Sequence, residues 1–142
     1  MTTLIDVGVW LAAVWRGHIH NKQAAEWFDN QSGSLLMCRV TQTGLLRLIS
    51  NPTVMGDDVL TRSSAWRIID QLLADERVLW AEEPADLDAV FRTLSARNDM
   101  SHKLWTDDYL AAFAQTSGAE MATMDRKFAA RYPSVKVVTI GR

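Results

Sequence analysis

Residues 3–7 read Thr3-Leu4-Ile5-Asp6-Val7. A short apolar run bounded by a glycine, here Gly8, has the pattern of a buried strand. From Gly8 to Trp15 the chain turns to helical character. A carboxylate inside such a run is expensive to bury unless it reaches a cavity or a cation. A strand that runs straight into a helix, with an acid near the junction, sets the reading of the rest.

The alternation continues downstream. Residues 20–30 place Ala24, Trp27 and Phe28 at helical spacing, and Ser32-Gly33-Ser34 breaks the chain. Residues 35–38 predict a second buried strand. Thr41 is expected to cap a third helix with Leu45, Leu48 and Ile49 on one face, stopped by Asn51-Pro52. A loop over 54–60 leads to a helix over 61–74 and a short strand at 78–80. Pro84 is expected in the first turn of a helix reaching Arg97, where it loses no hydrogen bond. After a polar loop, residues 106–116 form a helix ended by Gly118, followed by a strand over 120–123, a short helix over 125–130 and a last strand over 135–140. Strands separated by helices predict an α/β fold, a single domain over residues 1–142 with a mostly parallel central sheet flanked by helices.

Composition agrees. The 142 residues carry 15 Lys plus Arg against 17 Asp plus Glu, a net charge of −2. This balance argues against a broad basic surface that coats DNA. At this length about 70% of the unfolded surface can be buried, so a core forms without staples. The lone Cys38 excludes an internal disulfide and a multi-cysteine zinc site and fits a reducing, cytoplasmic setting. Cys38 itself is expected in the core. No apolar run approaches the roughly 20 residues of a membrane helix, so no membrane association is expected.

In open parallel sheets, ligands sit outside the carboxyl ends of the strands. Asp6 lies at the first of these ends, Asp125 follows the 120–123 strand, and Asp107 falls in the first turn of the helix before it. Each has a structural alternative: Asp107 or Asp108 can complement a helix dipole, and Asp125 can cap a helix. Gathered together, the three would repel, by about 4 kcal/mol for a pair 4 Å apart at an effective dielectric of 20. A hard divalent cation removes that cost, and oxygen-only ligation suits magnesium, with manganese as the alternative. Hydrolysis of a phosphodiester is the natural chemistry of such a site.

At these residues the sequence resembles a PIN domain, specifically a VapC-type toxin of a bacterial toxin–antitoxin pair. The resemblance runs through Leu4-Ile5-Asp6-Val7, then Arg39-Val40-Thr41-Gln42-Thr43-Gly44-Leu45-Leu46-Arg47, then Trp105-Thr106-Asp107-Asp108-Tyr109-Leu110-Ala111-Ala112, and ends in Thr123-Met124-Asp125-Arg126-Lys127-Phe128. It implies a magnesium-dependent endoribonuclease held in check by a VapB-type antitoxin, with a homodimer as the expected assembly. Carried over by motif, Asp6, Asp107 and Asp125 are the metal-site acids and Thr123 the hydroxyl residue beside them; Asp108 is the fallback for Asp107. Two positions depart from the pattern. Gly44 stands where many PIN domains carry a helix Glu, and Gly8 where many carry Asn or Ser. A non-catalytic PIN-like module that binds RNA or protein is therefore the alternative. Arg39, Arg47, Lys103 and Arg126 are candidate RNA contacts. Of the six Trp, Trp27, Trp66 and Trp80 are expected in the core, and Trp10, Trp15 and Trp105 near the site or its rim.

Overall fold

The computed structural model describes residues 1–141. Strand β1 (Thr2–Ile5) is the middle strand of a five-stranded sheet of order β3-β2-β1-β4-β5, built with β2 (Ser34–Met37), β3 (Val78–Trp80), β4 (Glu120–Thr123) and β5 (Val137–Thr139). All four strand pairings are parallel. Helices α1 (Val7–Val14) and α2 (Asn21–Asp29) lead to β2, and α3 (Arg39–Ile49), α4 (Pro52–Met55) and α5 (Arg62–Ala74) lead to β3. The chain then crosses to the far side of β1 through α6 (Leu87–Ser95) and α7 (Trp105–Ser117) to reach β4, and α8 (Phe128–Arg131) connects to β5. The strand order thus reverses between β1 and β4, the crevice where such sheets hold ligands.

Alternation along each strand divides the core. Ile5, Leu35, Met37 and Ala122 face one side and pack with Val9, Trp10, Leu45, Ile49 and Ile69. Leu4, Leu36 and Met121 face the other and pack with Leu110, Phe113, Phe128 and Tyr132. Both faces of the sheet are covered, which is why its strands read as nearly continuous apolar runs. Cys38 is buried in the second of these clusters.

Local chemistry shifts several element boundaries. Val7 belongs to α1 and not to the strand, because Asp6 is extended and caps the helix with its side chain. Thr41 is not the cap of α3: Cys38 holds that position, and its N–H donates to the Thr41 hydroxyl one turn in, at 3.0 Å. Pro52 ends α3 but also opens α4, where Asn51 caps by accepting from the Thr53 N–H; a 3-10 turn over Gly56–Asp58 follows, so little of 54–60 is loop. The helix expected from Pro84 begins only at Leu87. Gly118 ends α7 with φ +70°, a left-handed conformation that glycine adopts without strain. Trp66 is solvent-facing at 48% exposure, not core, whereas Trp10 is wholly buried.

Gly44 is a contact point between α1 and α3. A Cβ placed on it would sit 2.8 Å from Val7 Cγ2. Val7 is branched at Cβ and stiff in a helix, so it does not swing aside. A side chain at position 44 is therefore not readily tolerated, and the glycine serves the close packing of the two helices. Replacing a helical Gly by Ala gains up to about 1 kcal/mol in propensity, but overpacking costs about 1–3 kcal/mol, so the clash wins. Gly44→Ala should lower the denaturation midpoint, and Val7→Ala in the same chain should recover most of the loss; a chemical-denaturation double-mutant cycle measures the coupling.

Candidate functional site

The end of β1 is tied directly to β4. The Asp6 N–H donates to the Ala122 carbonyl at 3.0 Å, extending the ladder by one rung. This fixes the Asp6 side chain over the reversal point. Its Oδ1 accepts from the Val7 N–H at 2.8 Å, and its Oδ2 accepts from the Thr123 hydroxyl at 2.9 Å. Thr123 is fully buried, and its hydroxyl also accepts from the Asp125 N–H at 3.1 Å. One hydroxyl thus joins the acid after β1 to the turn after β4.

That turn is closed by Asp125, whose Oδ1 accepts from the Lys127 N–H at 2.9 Å, the habit of an Asx turn. Helix α8 accordingly starts at Phe128 rather than at Asp125. Its last residue, Arg131, reaches back. Arg131 Nη2 donates to Asp125 Oδ2 at 2.5 Å and to Asp107 Oδ2 at 3.1 Å. Asp107 comes from the first turn of α7, whose direction brings its N-terminus to the carboxyl ends of the strands. A continuous chain of hydrogen bonds therefore runs Asp6, Thr123, Asp125, Arg131, Asp107. Asp108 takes a different course. Neighbours on a helix point about 100° apart, and Asp108 is buried, accepting a hydrogen bond from the Tyr132 hydroxyl.

The electrostatics are uneven. Burial pushes the Asp6 carboxyl above the usual carboxylate range, the Asp125 charge adds to this, and the bonds from Thr123 and Val7 oppose it. Burial likewise raises Asp107, with Asp6 and Asp125 adding repulsion and Arg131 opposing. The hydrogen bond from Arg131 holds Asp125 below that range. Burial works most strongly against the Arg131 charge, but the bond to Asp125, the charges of Asp125 and Asp107 and the Tyr132 hydroxyl together outweigh it, and its pKa lies above the ordinary value. Among the described residues Asp6 pairs with no Lys or Arg. Nor, among them, do three acid, His or Cys side chains converge tightly enough to hold one ion.

The four basic residues singled out in the sequence stand apart from this chain. Arg39 lies over the Trp80 ring at 4.6 Å and bonds Gln42. Arg47 lines an open cleft of about 620 Å³ with Val7, Gly44 and Asn51. Lys103 and Arg126 are exposed. The basic residue that does meet the acids, Arg131, gave no signal in sequence, because only the turn at Asp125 and the single turn of α8 bring it back. Of the aromatics, Trp10 packs on Phe28 in the core, Trp15 donates to Asp58, and Trp105 is 56% exposed near the start of α7.

A doubly wound parallel sheet with three acids and a threonine at its reversal point is the arrangement of one class of domain, and the chain belongs to it: the PIN-domain family matches residues 3–132. Within that family it belongs with the VapC group. It is 40% identical to ribonuclease VapC41 of Mycobacterium tuberculosis over 131 residues, covering 88% of this chain and 90% of that protein. Its fold is similar to VapBC2 of Rickettsia felis bound to a promoter DNA fragment, at TM-score 0.71 and 13% identity over 99% of each chain. It is also similar to VapC20 of Mycobacterium tuberculosis, a sarcin–ricin-loop-cleaving toxin, at TM-score 0.67 and 16% identity over 90% of this chain and 93% of that one.

Two outcomes follow from the geometry. Tyr132→Phe removes the one side-chain donor to the buried Asp108 carboxyl among the described residues and should destabilise the fold by about 1–3 kcal/mol, read by thermal or chemical unfolding. The second concerns Asp6. Its raised folded pKa means that the native state holds this proton more tightly than the unfolded chain, so the ionised carboxylate costs stability once pH rises through that pKa. In chelator, Asp6→Asn should melt higher than the parent chain at neutral pH. The gap should close as pH falls below the ordinary carboxylate range.

Proposed function

We propose that this chain is a metal-dependent endoribonuclease and the toxin of a VapBC-type pair. The observation that carries the reading is the hydrogen-bonded chain of Asp6, Thr123, Asp125 and Asp107 at the sheet reversal, with a single cation shared between two of its three acids. The 40% identity to a protein named ribonuclease VapC41 supports the same activity here.

The chemistry of the donor set suits a hard divalent cation, around which the three carboxyls would have to draw closer than they stand. The donor set is all oxygen, two of the three carboxyls are pushed up by burial and mutual repulsion, and Asp6 lacks a counter-charge. Asp6, Asp107 and Asp125 would hold magnesium, or manganese in its place. Bound there, such an ion supplies a water of lowered pKa and stabilises charge on a phosphate oxygen. The protein's own part is positional. Thr123 orients Asp6, and the Ala122 carbonyl fixes the Asp6 backbone. Asp125 is held by the turn it closes. Exposed Arg39, Arg47, Lys103 and Arg126 are candidate contacts for RNA phosphates.

The partners that follow are an RNA substrate and a VapB-type antitoxin, with a homodimer as the working assembly and the cytoplasm as its place. No helix among the described residues is long and apolar enough to cross a membrane. One observation favours a second reading, a PIN-like binding module of weakened activity: Gly44 carries no carboxylate and is packed against Val7.

Cleavage of RNA with magnesium, with and without chelator, separates the two. Asp6→Asn and Asp125→Asn should each lower the rate by more than about 100-fold while circular dichroism stays native. Asp107→Asn should be severe and Asp108→Asn mild in the folded protein. A parent chain that binds RNA but cleaves none in any metal would favour the binding module.

A further inference from the structure

The acids of the crevice are already partly neutralised from within the chain. Arg131 ends α8 with a side chain that is 21% exposed, and one of its nitrogens, Nη2, serves both Asp107 Oδ2 and Asp125 Oδ2. Its Nε is buried and makes no hydrogen bond. A guanidinium at its strongest grips one carboxylate through two parallel bonds; here one nitrogen is divided between two carboxylates, Nε bonds neither of them, and the group lies 5.8 Å from the centre of the Tyr132 ring. Both oxygens of Asp125 are engaged, Oδ1 by the Lys127 N–H and Oδ2 by Arg131. No third acid joins them closely enough to form a cation cage.

From this we infer that Arg131 is a resident counter-cation of the crevice, which competes with a divalent cation for Asp107 and Asp125 and so sets the metal affinity of the site. The inference rests on the metal-dependent reading above. A cation that takes Oδ2 of Asp107 or of Asp125 meets the guanidinium on the same atom, and two positive groups on one oxygen repel. Arg131 must therefore give up one or both bonds when metal enters. The incomplete fork makes that release easy, and the exposed fraction of the side chain gives it a way out. In the metal-free protein the same residue offsets repulsion among the acids. Arg131 thus makes the empty site stable and the filled site weaker than its three carboxylates alone would make it.

Manganese titration by calorimetry, with melting temperatures in chelator and in saturating manganese, tests this on the parent chain, Arg131→Met, Arg131→Lys and Asp6→Asn. Arg131→Met should bind manganese about tenfold more tightly, an ordinary coupling between two binding events. It should also melt lower in chelator and gain more on adding metal. Arg131→Lys keeps the charge without the planar fork and should fall between Arg131→Met and the parent. Circular dichroism at the titration temperature identifies folded variants, and Arg131→Lys carries the test if Arg131→Met unfolds. If the parent binds manganese and folded Arg131 variants bind it equally or less tightly, the competition is overturned while the metal site stands. If neither the parent nor any Arg131 variant binds manganese, the metal-dependent reading fails and the competition fails with it. If Asp6→Asn binds as the parent does, the ion sits elsewhere, and a tighter Arg131→Met no longer supports competition at these acids.

Discussion

Everything at the crevice depends on a carboxylate held at the end of the central strand. Asp6 continues the β1–β4 ladder through its backbone, starts α1 through one oxygen and takes the Thr123 hydroxyl on the other. Two hydrogen bonds, worth about 1 kcal/mol each in net terms, do not cancel burial plus the repulsion of neighbouring acids, and the raised pKa of Asp6 records the imbalance. The site is built from a group that the fold tolerates rather than from one that stabilises it. Such local departures from the stability optimum are what functional sites show.

The helices around this point divide the labour. α7 presents two adjacent acids, and the helical rotation between them sends one to the crevice and the other to a tyrosine in the core. Tyr132, beside Arg131 in sequence, anchors the end of α8 by that contact, so the residue that holds Asp108 also sets where the guanidinium begins. The acid of the crevice and the acid of the core sit side by side and are separated only by direction.

Much of this was legible in the sequence. The strands declared themselves as apolar runs because both sheet faces are covered, and all five lie within the segments expected from the pattern or overlap them closely. Asp6 stood out because a charge amid Leu4, Ile5 and Val7 is costly in a buried run unless it meets a cavity, a cation or, as here, the start of a helix. Boundaries were harder. Cys38 is an unusual cap, and nothing in its side chain announces one; Pro52 both stops and starts a helix, and its second role depends on Asn51 turning back to Thr53. Arg131 was illegible because its meaning arises from a tertiary turn, and Gly44 because the pattern shows which side chain is absent but not the Val7 methyls that occupy the space.

The bond from Thr123 to Asp6 spans 117 residues of chain. Local contacts form early and distant ones late, since loop closure must come before their reward. A growing polypeptide carries Asp6 long before it carries Thr123, Asp125 or Arg131. Until β4 has been synthesised and docked beside β1, the first acid has neither its hydroxyl partner nor its companion carboxylates. The crevice is thus among the last features a nascent chain completes. A chain made this way is without its assembled crevice through most of its own translation, a delay written into the order of its strands.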